Sequence, residues 1–234
     1  AILIFVLRLA CIDPNGNSTT GVVRKSTSKA YFNPQYRADF SFNDEAMGIK
    51  TANTGDAPWD PSRYLNIWVC NLRLVQGFAT WPADYSKYPQ FDGIVIATAA
   101  FNAITTTSGR ILTHELGHWL DLSHLEGDNP NQDCGTDRVA DTPPQKKSTN
   151  VMGCPAFPLL AERCNTSDIS TMYMNFMSFA FQNCRNLFTN GQRAITRALF
   201  ATSLGRSAQL NGFFGFTNQP TSITCTGSLI VTPL

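Results

Sequence analysis

His-Glu-Leu-Gly-His-Trp-Leu-Asp-Leu-Ser-His occupies residues 114–124 and contains all three histidines of the 234-residue chain. His114 and His118 are four residues apart, which on an α-helix places them about 40° apart around the axis and about 6 Å along it. Two imidazoles at this spacing can bind one metal ion. A continuing helix would carry His124 about 240° round the axis and out of reach. We therefore predict that the helix breaks near residue 121 and that His124 turns back as a third ligand.

Glu115 lies next to the first histidine on the same predicted helix. Three nitrogen ligands leave a fourth coordination position for water, which is typical of a catalytic zinc site. A carboxylate beside such a site can accept a proton from the water and transfer it to a leaving amine. The pattern predicts a zinc-dependent endopeptidase with Glu115 as the general base. The alternative is a two-histidine site with Glu126 or Glu162 as third ligand, which leaves His124 without a role.

The sequence shows no feature typical of a nucleic-acid-binding protein or of a membrane span, and we predict neither partner. The net charge is +1, and no run of Lys and Arg forms a basic stripe. No stretch approaches the roughly 20 apolar residues that a membrane helix needs. Residues 1–10 are apolar but lack a basic segment and a cleavage site, so we interpret them as a buried first strand and not as a signal peptide. The sequence does not determine the oligomeric state.

Seven cysteines are many for a cytosolic protein of this size, and four of them fall within about fifty residues. These four are Cys134, Cys154, Cys164 and Cys184. The pattern predicts a loop-rich region held by disulfides in an oxidising compartment, extracellular or periplasmic. A second metal site is the alternative, but the spacings are wide and no C-x-x-C occurs. Among four cysteines the sequence allows three connectivities.

The chain before residue 114 is typical of strands, and the chain after residue 124 is typical of loops and a final helix. Residues 64–70, 77–81 and 92–98 are β-rich runs, and the last is apolar enough for a strand covered on both faces. Ser108 can cap the metal-binding helix. The last helix is predicted by a capping box at Thr189-Asn-Gly-Gln192, a face of Ile195, Ala198, Leu199 and Thr202, and a stop at Gly205.

These patterns predict one catalytic domain over residues 1–234 with two lobes. The N-terminal lobe, residues 1–124, is α/β, and the C-terminal lobe, residues 125–234, is mainly irregular with a helix. The site is expected in the cleft between them.

The chain resembles the metzincin metallopeptidases, and within them the pappalysin family. H-E-x-x-H-x-x-G-x-x-H with a later Met-turn is the metzincin signature, and residues 114–124, except at the glycine, and Asn175-Phe-Met177 match it here. The other matching stretches are YLNIWVC at 64–70, DGIVI at 92–96, GRILTHE at 109–115, ADTP at 140–143 and FTNGQ at 188–192. The resemblance covers about residues 58–204.

The resemblance implies a metzincin-like α+β fold, with a twisted, mostly parallel sheet and the active-site helix in the N-terminal lobe. It implies a disulfide-stapled C-terminal lobe with Met177 in the Met-turn beneath the zinc. The implied disulfides are Cys134–Cys164 and Cys154–Cys184. Cys11, Cys70 and Cys225 stay unassigned, and Cys70 is most simply a buried thiol.

Two further sites follow from the resemblance. Similar proteins bind calcium after the third histidine, where this chain offers the oxygen ligands Asp137, Asp141 and Thr142. Turn and cap roles are the alternative for these residues. Similar proteins also bind an extended substrate along an edge strand, and the matching residues here are Gly77, Phe78, Ala79, Thr80 and Trp81.

Two departures from the family pattern bear on activity. Asp121 replaces the motif's glycine, at a position where the turn requires a positive φ that Asp tolerates better than most residues. Phe179 stands where the family has a tyrosine whose hydroxyl helps the oxyanion, and the neighbouring aspartate is Ser178. The substitutions at residues 121 and 179 motivate a second hypothesis. The chain could be a relative that retains zinc and binds peptides or a partner, with little or no catalysis.

Overall fold

The structure, a computed structural model, describes residues 5–34, 44–101, 109–129, 131–147, 153–201 and 228–231. The strands are β1 (Phe5–Arg8), β2 (Ile67–Cys70), β3 (Gly77–Ala79), β4 (Ile94–Ala97), β5 (Cys134–Gly135), β6 (Gln145–Lys146) and β7 (Ser228–Val231). The helices are α1 (Asp44–Ile49), α2 (Pro82–Tyr85), α3 (Thr98–Phe101), α4 (Arg110–Trp119) and α5 (Asn190–Ala201). None of the helices described here has the length and apolarity needed to cross a membrane.

The main sheet is mixed, and β4 is its central strand. It pairs in parallel with β2 and antiparallel with β3, so that β3 is an edge strand in the described sheet. All four residues of β4 are buried, which confirms the strand covered on both faces that its apolar run predicts.

The two faces of β4 contact different helices. Ile94 and Ile96 pack against the apolar side of α4, including Leu112 and Leu116. Val95 points the other way, into a cluster that includes residues of α1. Since successive side chains of a strand alternate between faces, this short run positions α4 against one side of the sheet.

The prediction of a buried first strand at residues 1–10 is only partly correct. Residues 5–8 form a strand, but β1 pairs with β7 in a separate two-stranded ribbon instead of joining the main sheet. Leu7 is half-buried and Leu9 is 40% exposed. The expected burial over residues 1–10 is therefore wrong for the described part, because the ribbon leaves one side of this segment in solvent.

The last helix starts with the predicted capping box. The Gln192 N–H donates to Thr189 Oγ1 at 3.1 Å, and the Thr189 N–H donates to Gln192 Oε1 at 3.0 Å. The predicted buried face is wrong at Ala198, which is exposed, whereas Thr196 is buried. The buried face is centred on polar residues, which a search for apolar periodicity passes over. Thr202 and Gly205 lie outside the described residues.

Disulfides hold the loop-rich region after residue 124. Cys134 is bonded to Cys164, and Cys154 to Cys184, with Cα–Cα distances of 5.7 and 5.2 Å. This is the pairing that the resemblance implies. Cys70 is a free thiol and Cys11 is disulfide-bonded, while Cys225 lies outside the described residues.

The capping residue Gln192 also connects α5 to the segment before Met177. Its side chain, which is 0% exposed, exchanges two hydrogen bonds with the Asn175 side chain, at 2.8 and 3.2 Å. Asn175 Oδ1 in turn accepts from the Met177 N–H at 2.9 Å. One buried amide therefore stabilises both the helix start and this segment.

We expect Gln192→Ala to lower the free energy of unfolding by about 2–4 kcal/mol, because buried donors and acceptors on Thr189 and Asn175 lose their partner. Chemical denaturation measures the change. Arg197→Ala, at an exposed position of the same helix, is the matched control and should change stability by about 0.5 kcal/mol or less. Equal effects of the two substitutions would contradict the role assigned to Gln192.

Candidate metal centre

Helix α4 carries the first two histidines on a buried surface. Every residue from Ile111 to Trp119 is buried, including His114, Glu115 and His118. Ionisable side chains are rarely buried this fully without a partner or a function. Ser108, the predicted helix cap, lies outside the described residues.

The helix ends with the break that the position of His124 requires. Asp121 has φ 73°, in the left-handed region. Its N–H donates to His118 O at 3.0 Å, and the Leu122 N–H donates to Gly117 O at 2.9 Å. This pair of hydrogen bonds defines a Schellman motif, which ends a helix at a residue of left-handed conformation. The predicted break near residue 121 is confirmed.

The turn brings three imidazole nitrogens together. The Nε2 atoms of His114 and His118 are 3.2 Å apart, those of His114 and His124 are 3.2 Å apart, and those of His118 and His124 are 3.0 Å apart. Nitrogens at this spacing can all lie about 2.0–2.1 Å from one zinc ion. The structure thus places His124, and not Glu126 or Glu162, beside the other two histidines.

The second nitrogen of each histidine faces an oxygen. His114 Nδ1 lies 2.6 Å from Phe176 O, and His118 Nδ1 lies 2.8 Å from Leu122 O. A carbonyl oxygen only accepts hydrogen bonds, so Nδ1 carries the proton in these rings and Nε2 keeps its lone pair for a metal. Burial lowers the pKa of His118 to about 3 and that of His114 well below its usual value, so both rings are neutral.

Asp128 supplies the oxygen for the third histidine. Its Oδ1 accepts from His124 Nδ1 at 2.5 Å. Asp128 is not among the residues predicted from the sequence. Its only signal was an acidic residue four positions after His124, a weak indication in a loop.

Glu115 lies between the histidines and the edge strand β3. A Cβ atom added at Gly77 would lie 3.0 Å from Glu115 Oε1 and 2.9 Å from Val95 O. Glycine at residue 77 therefore leaves the space that the carboxylate occupies. Burial raises the pKa of Glu115 to about 8, and the charge of Arg185 acts in the opposite direction.

Met177 lies directly beneath α4. Its side chain is 0% exposed, and a Cβ atom added at Gly117 would come within 2.3 Å of Met177 Sδ. The Leu125 N–H donates to Met177 O at 3.2 Å, which connects this segment to the residue after His124. The role of Met177 as the Met-turn residue beneath the zinc stays a prediction.

Two aromatic rings flank the histidines. Phe179 stacks on His124 with ring centroids 4.1 Å apart, and Trp81 lies against His118 at 5.0 Å. Phe179 is 42% exposed. The residue that lacks the family's hydroxyl therefore still contacts a histidine of the triad.

A buried polar layer that the sequence does not predict lies around Glu126. Glu126 is 0% exposed, and its Oε1 accepts from Gln145 Nε2 at 2.8 Å, Ser178 Oγ at 2.7 Å and the Phe179 N–H at 3.0 Å. Arg185 is 8% exposed. Glu126 was considered only as a metal ligand, whereas the structure uses it to join the loop of His124 to residues 178–179.

The residues predicted to bind calcium make turn and cap contacts. Asp137 Oδ1 accepts from Thr142 Oγ1 at 2.5 Å and from the Val139 N–H at 3.1 Å, and Asp141 Oδ2 accepts from the Gly191 N–H at 2.9 Å. In the part of the chain that the structure describes, His114, His118 and His124 are the one group of three or more His, Cys, Asp or Glu side chains that could hold a metal. Calcium binding stays a prediction.

A family model described as peptidase M43, pregnancy-associated plasma protein-A, matches residues 48–200. The chain belongs to this family, the pappalysins. Extracellular metalloproteases of the fungi Arthroderma otae and Uncinocarpus reesii are each 35% identical to it, over 105 and 136 residues. These matches cover 43% and 55% of this chain but only 36% and 45% of the two relatives, so the matched region spans less than half of each relative's length.

A solved structure agrees with the family assignment. Mature mirolysin of Tannerella forsythia, in complex with a cleaved peptide, is 39% identical with a TM-score of 0.75. The match covers 91% of this pappalysin chain and 77% of mirolysin. The fold is therefore metzincin-like, as the resemblance implies, and the histidine triad belongs to a metallopeptidase framework.

Asp121 provides a direct test of the turn. We expect Asp121→Gly to be more stable than Asp121→Ala by about 1 kcal/mol, because both lose the carboxylate but only alanine is strained at positive φ. Chemical denaturation with a metal chelator present measures the difference. At Ala198, an exposed helical position, the order should reverse, with alanine more stable than glycine. The same order at both positions would contradict the assigned turn.

Proposed function

We propose that this chain is a zinc-dependent endopeptidase that acts outside the cell on extended peptide segments. The observation that carries the proposal is the convergence of three histidine nitrogens beside the buried carboxylate of Glu115. Family membership supports zinc as the metal. The names of the two fungal relatives and the disulfides support an extracellular or periplasmic location.

Zinc bound by the three histidines supplies a Lewis acid that polarises the scissile carbonyl and makes water a stronger nucleophile. Glu115 takes the proton from the attacking water and delivers it to the leaving nitrogen. A cation held by the three histidines would favour the carboxylate form of Glu115 and so would oppose the effect of burial on its pKa. His114, His118 and His124 are held in the binding tautomer by their Nδ1 partners.

The substrate is proposed to pair along residues 77–81, which include the edge strand β3. Within the described sheet β3 has one partner strand, β4, and its first residue, Gly77, packs against Glu115. Backbone pairing there would hold a peptide beside the base.

The alternative is a protein that binds zinc and peptides but catalyses little or no hydrolysis. Phe179 is its main support, since loss of one oxyanion donor can lower the rate by about 10²–10³. Asp121 does not support this alternative, because the turn forms in this structure with Asp at that position. The buried Glu115 favours the enzyme, since a site that only binds has no use for a base.

We expect the zinc-loaded chain to cleave a denatured protein, and Glu115→Ala to lower the rate by at least about 10²-fold because proton transfer is lost. Mass spectrometry of the products identifies the cleaved bonds, and a zinc chelator is the parallel control. Metal analysis of both proteins should show about one zinc per chain. If the intact chain cleaves nothing while it holds zinc, the alternative is correct.

Asp128 allows a test of metal binding alone. We expect Asp128→Ala to weaken zinc binding by about 10- to 100-fold, the usual effect of losing the group that orients a histidine ligand. Competition with a chromogenic chelator measures the affinity. Asp133→Ala is the control, because Asp133 lies in the same loop but is 82% exposed. An unchanged affinity in Asp128→Ala would show that His124 does not depend on this contact.

A further inference from the structure

Arg185 is a buried cation whose hydrogen-bonding capacity is mostly unused. Its Nε donates to Ala180 O at 2.9 Å. Its two terminal nitrogens make no hydrogen bond or ion pair with any residue that the structure describes. A guanidinium has five donors in a planar fork, so four of them are left without a protein acceptor. Burying a charged group whose donors have no acceptors is unfavourable, unless another group supplies those acceptors.

The unused end of Arg185 is open to a ligand. Among the described residues, the side-chain atoms sealed from solvent without a hydrogen-bond partner include Glu126 Oε2, but no atom of Arg185. Its terminal nitrogens therefore border accessible space, although the side chain as a whole is only 8% exposed. A buried side chain with accessible polar atoms at its end is typical of a residue at the bottom of a pocket.

Glu126 is the obvious internal counter-charge, and it compensates Arg185 only in part. Its Oε1 is occupied by three donors, while its Oε2 is buried without one. The two side chains attract each other electrostatically but form no ion pair. The fork of Arg185 is thus left free for another anion.

The surroundings of Arg185 place it near the catalytic carboxylate. It directly follows the 3₁₀ turn Gln182–Cys184, which packs against α4. Its charge lowers the pKa of Glu115 and of His114, so the guanidinium lies within electrostatic range of both. Glu115 delivers its proton to the leaving nitrogen, so the substrate residue that carries this nitrogen lies beside the carboxylate on which the charge of Arg185 acts.

We propose that the guanidinium of Arg185 binds a carboxylate of the substrate residue that follows the scissile bond. Arginine recognises carboxylates with two parallel hydrogen bonds. The carboxylate can be the side chain of Asp or Glu within a longer peptide, or the terminal carboxylate when that residue is the last one. The inference rests on the proposed peptidase function and defines its substrate class.

The test uses peptides that differ in one group. A bond cleaved in the denatured protein is copied into C-terminally amidated peptides with Glu, Gln, Asp or Asn after the scissile bond. A second pair ends at that residue, with a free or an amidated terminus. We expect the charged member of one of these comparisons to have a kcat/KM about 10- to 100-fold higher, the range of a charge-assisted hydrogen bond.

The two comparisons separate the two sources of the carboxylate. A preference for Glu over Gln or Asp over Asn assigns a side chain, and a preference for the free terminus assigns the terminal carboxylate. Cleavage of all peptides with no such preference overturns the inference but leaves the proposed function intact. If the zinc-loaded chain cleaves no peptide at all, the proposed function fails and the inference fails with it.

Arg185→Gln tests the residue itself through the ratio of the two rates. We expect the charged-to-neutral ratio to fall to about 1, and Arg185→Lys to retain part of it, because lysine keeps the charge but loses the fork. A purely structural role would lower kcat/KM for all peptides alike and keep the ratio. Arg197→Gln, at the exposed position on α5, should leave the ratio unchanged. If Arg185→Gln does not fold, the ratios of the intact chain and of Arg185→Lys decide the question.

Discussion

The left-handed turn at Asp121 is the constraint on which the candidate site depends. An α-helix holds His114 and His118 one turn apart but would direct His124 away from them. With φ at 73°, Asp121 ends the helix and lets the chain return, so that three Nε2 atoms lie within 3.0–3.2 Å of one another. The hydrogen bonds of the turn stabilise this reversal.

The same turn also orients the histidines. Leu122, which follows Asp121, provides the carbonyl that fixes His118, and Asp128 in the continuing loop fixes His124. Behind the loop, Glu126 bonds to Ser178 and to the Phe179 N–H. A buried carboxylate is costly unless it is hydrogen-bonded, so its three contacts hold this loop firmly against the segment that follows Met177.

Features determined by local spacing were predictable from the sequence, and features determined by contacts between distant loops were not. The spacing of His114, His118 and His124 was sufficient to predict both the helix and its break. Asp128 and Arg185 acquire their positions from the path of irregular chain, which has no period to read. The pairing of β1 with β7 joins strands more than 200 residues apart, and no local pattern specifies such a partner.

X-ray absorption spectroscopy of the zinc-loaded chain measures the central claim most directly, because it reports the atoms around the ion without requiring activity. The account predicts three imidazole nitrogens and one oxygen at about 2.0–2.1 Å, in a single site per chain. Substitution of His124 by alanine should reduce the imidazole count to two. A zinc ion with only two imidazoles in the intact chain would contradict the account, because the turn at Asp121 would then not bring His124 to the metal.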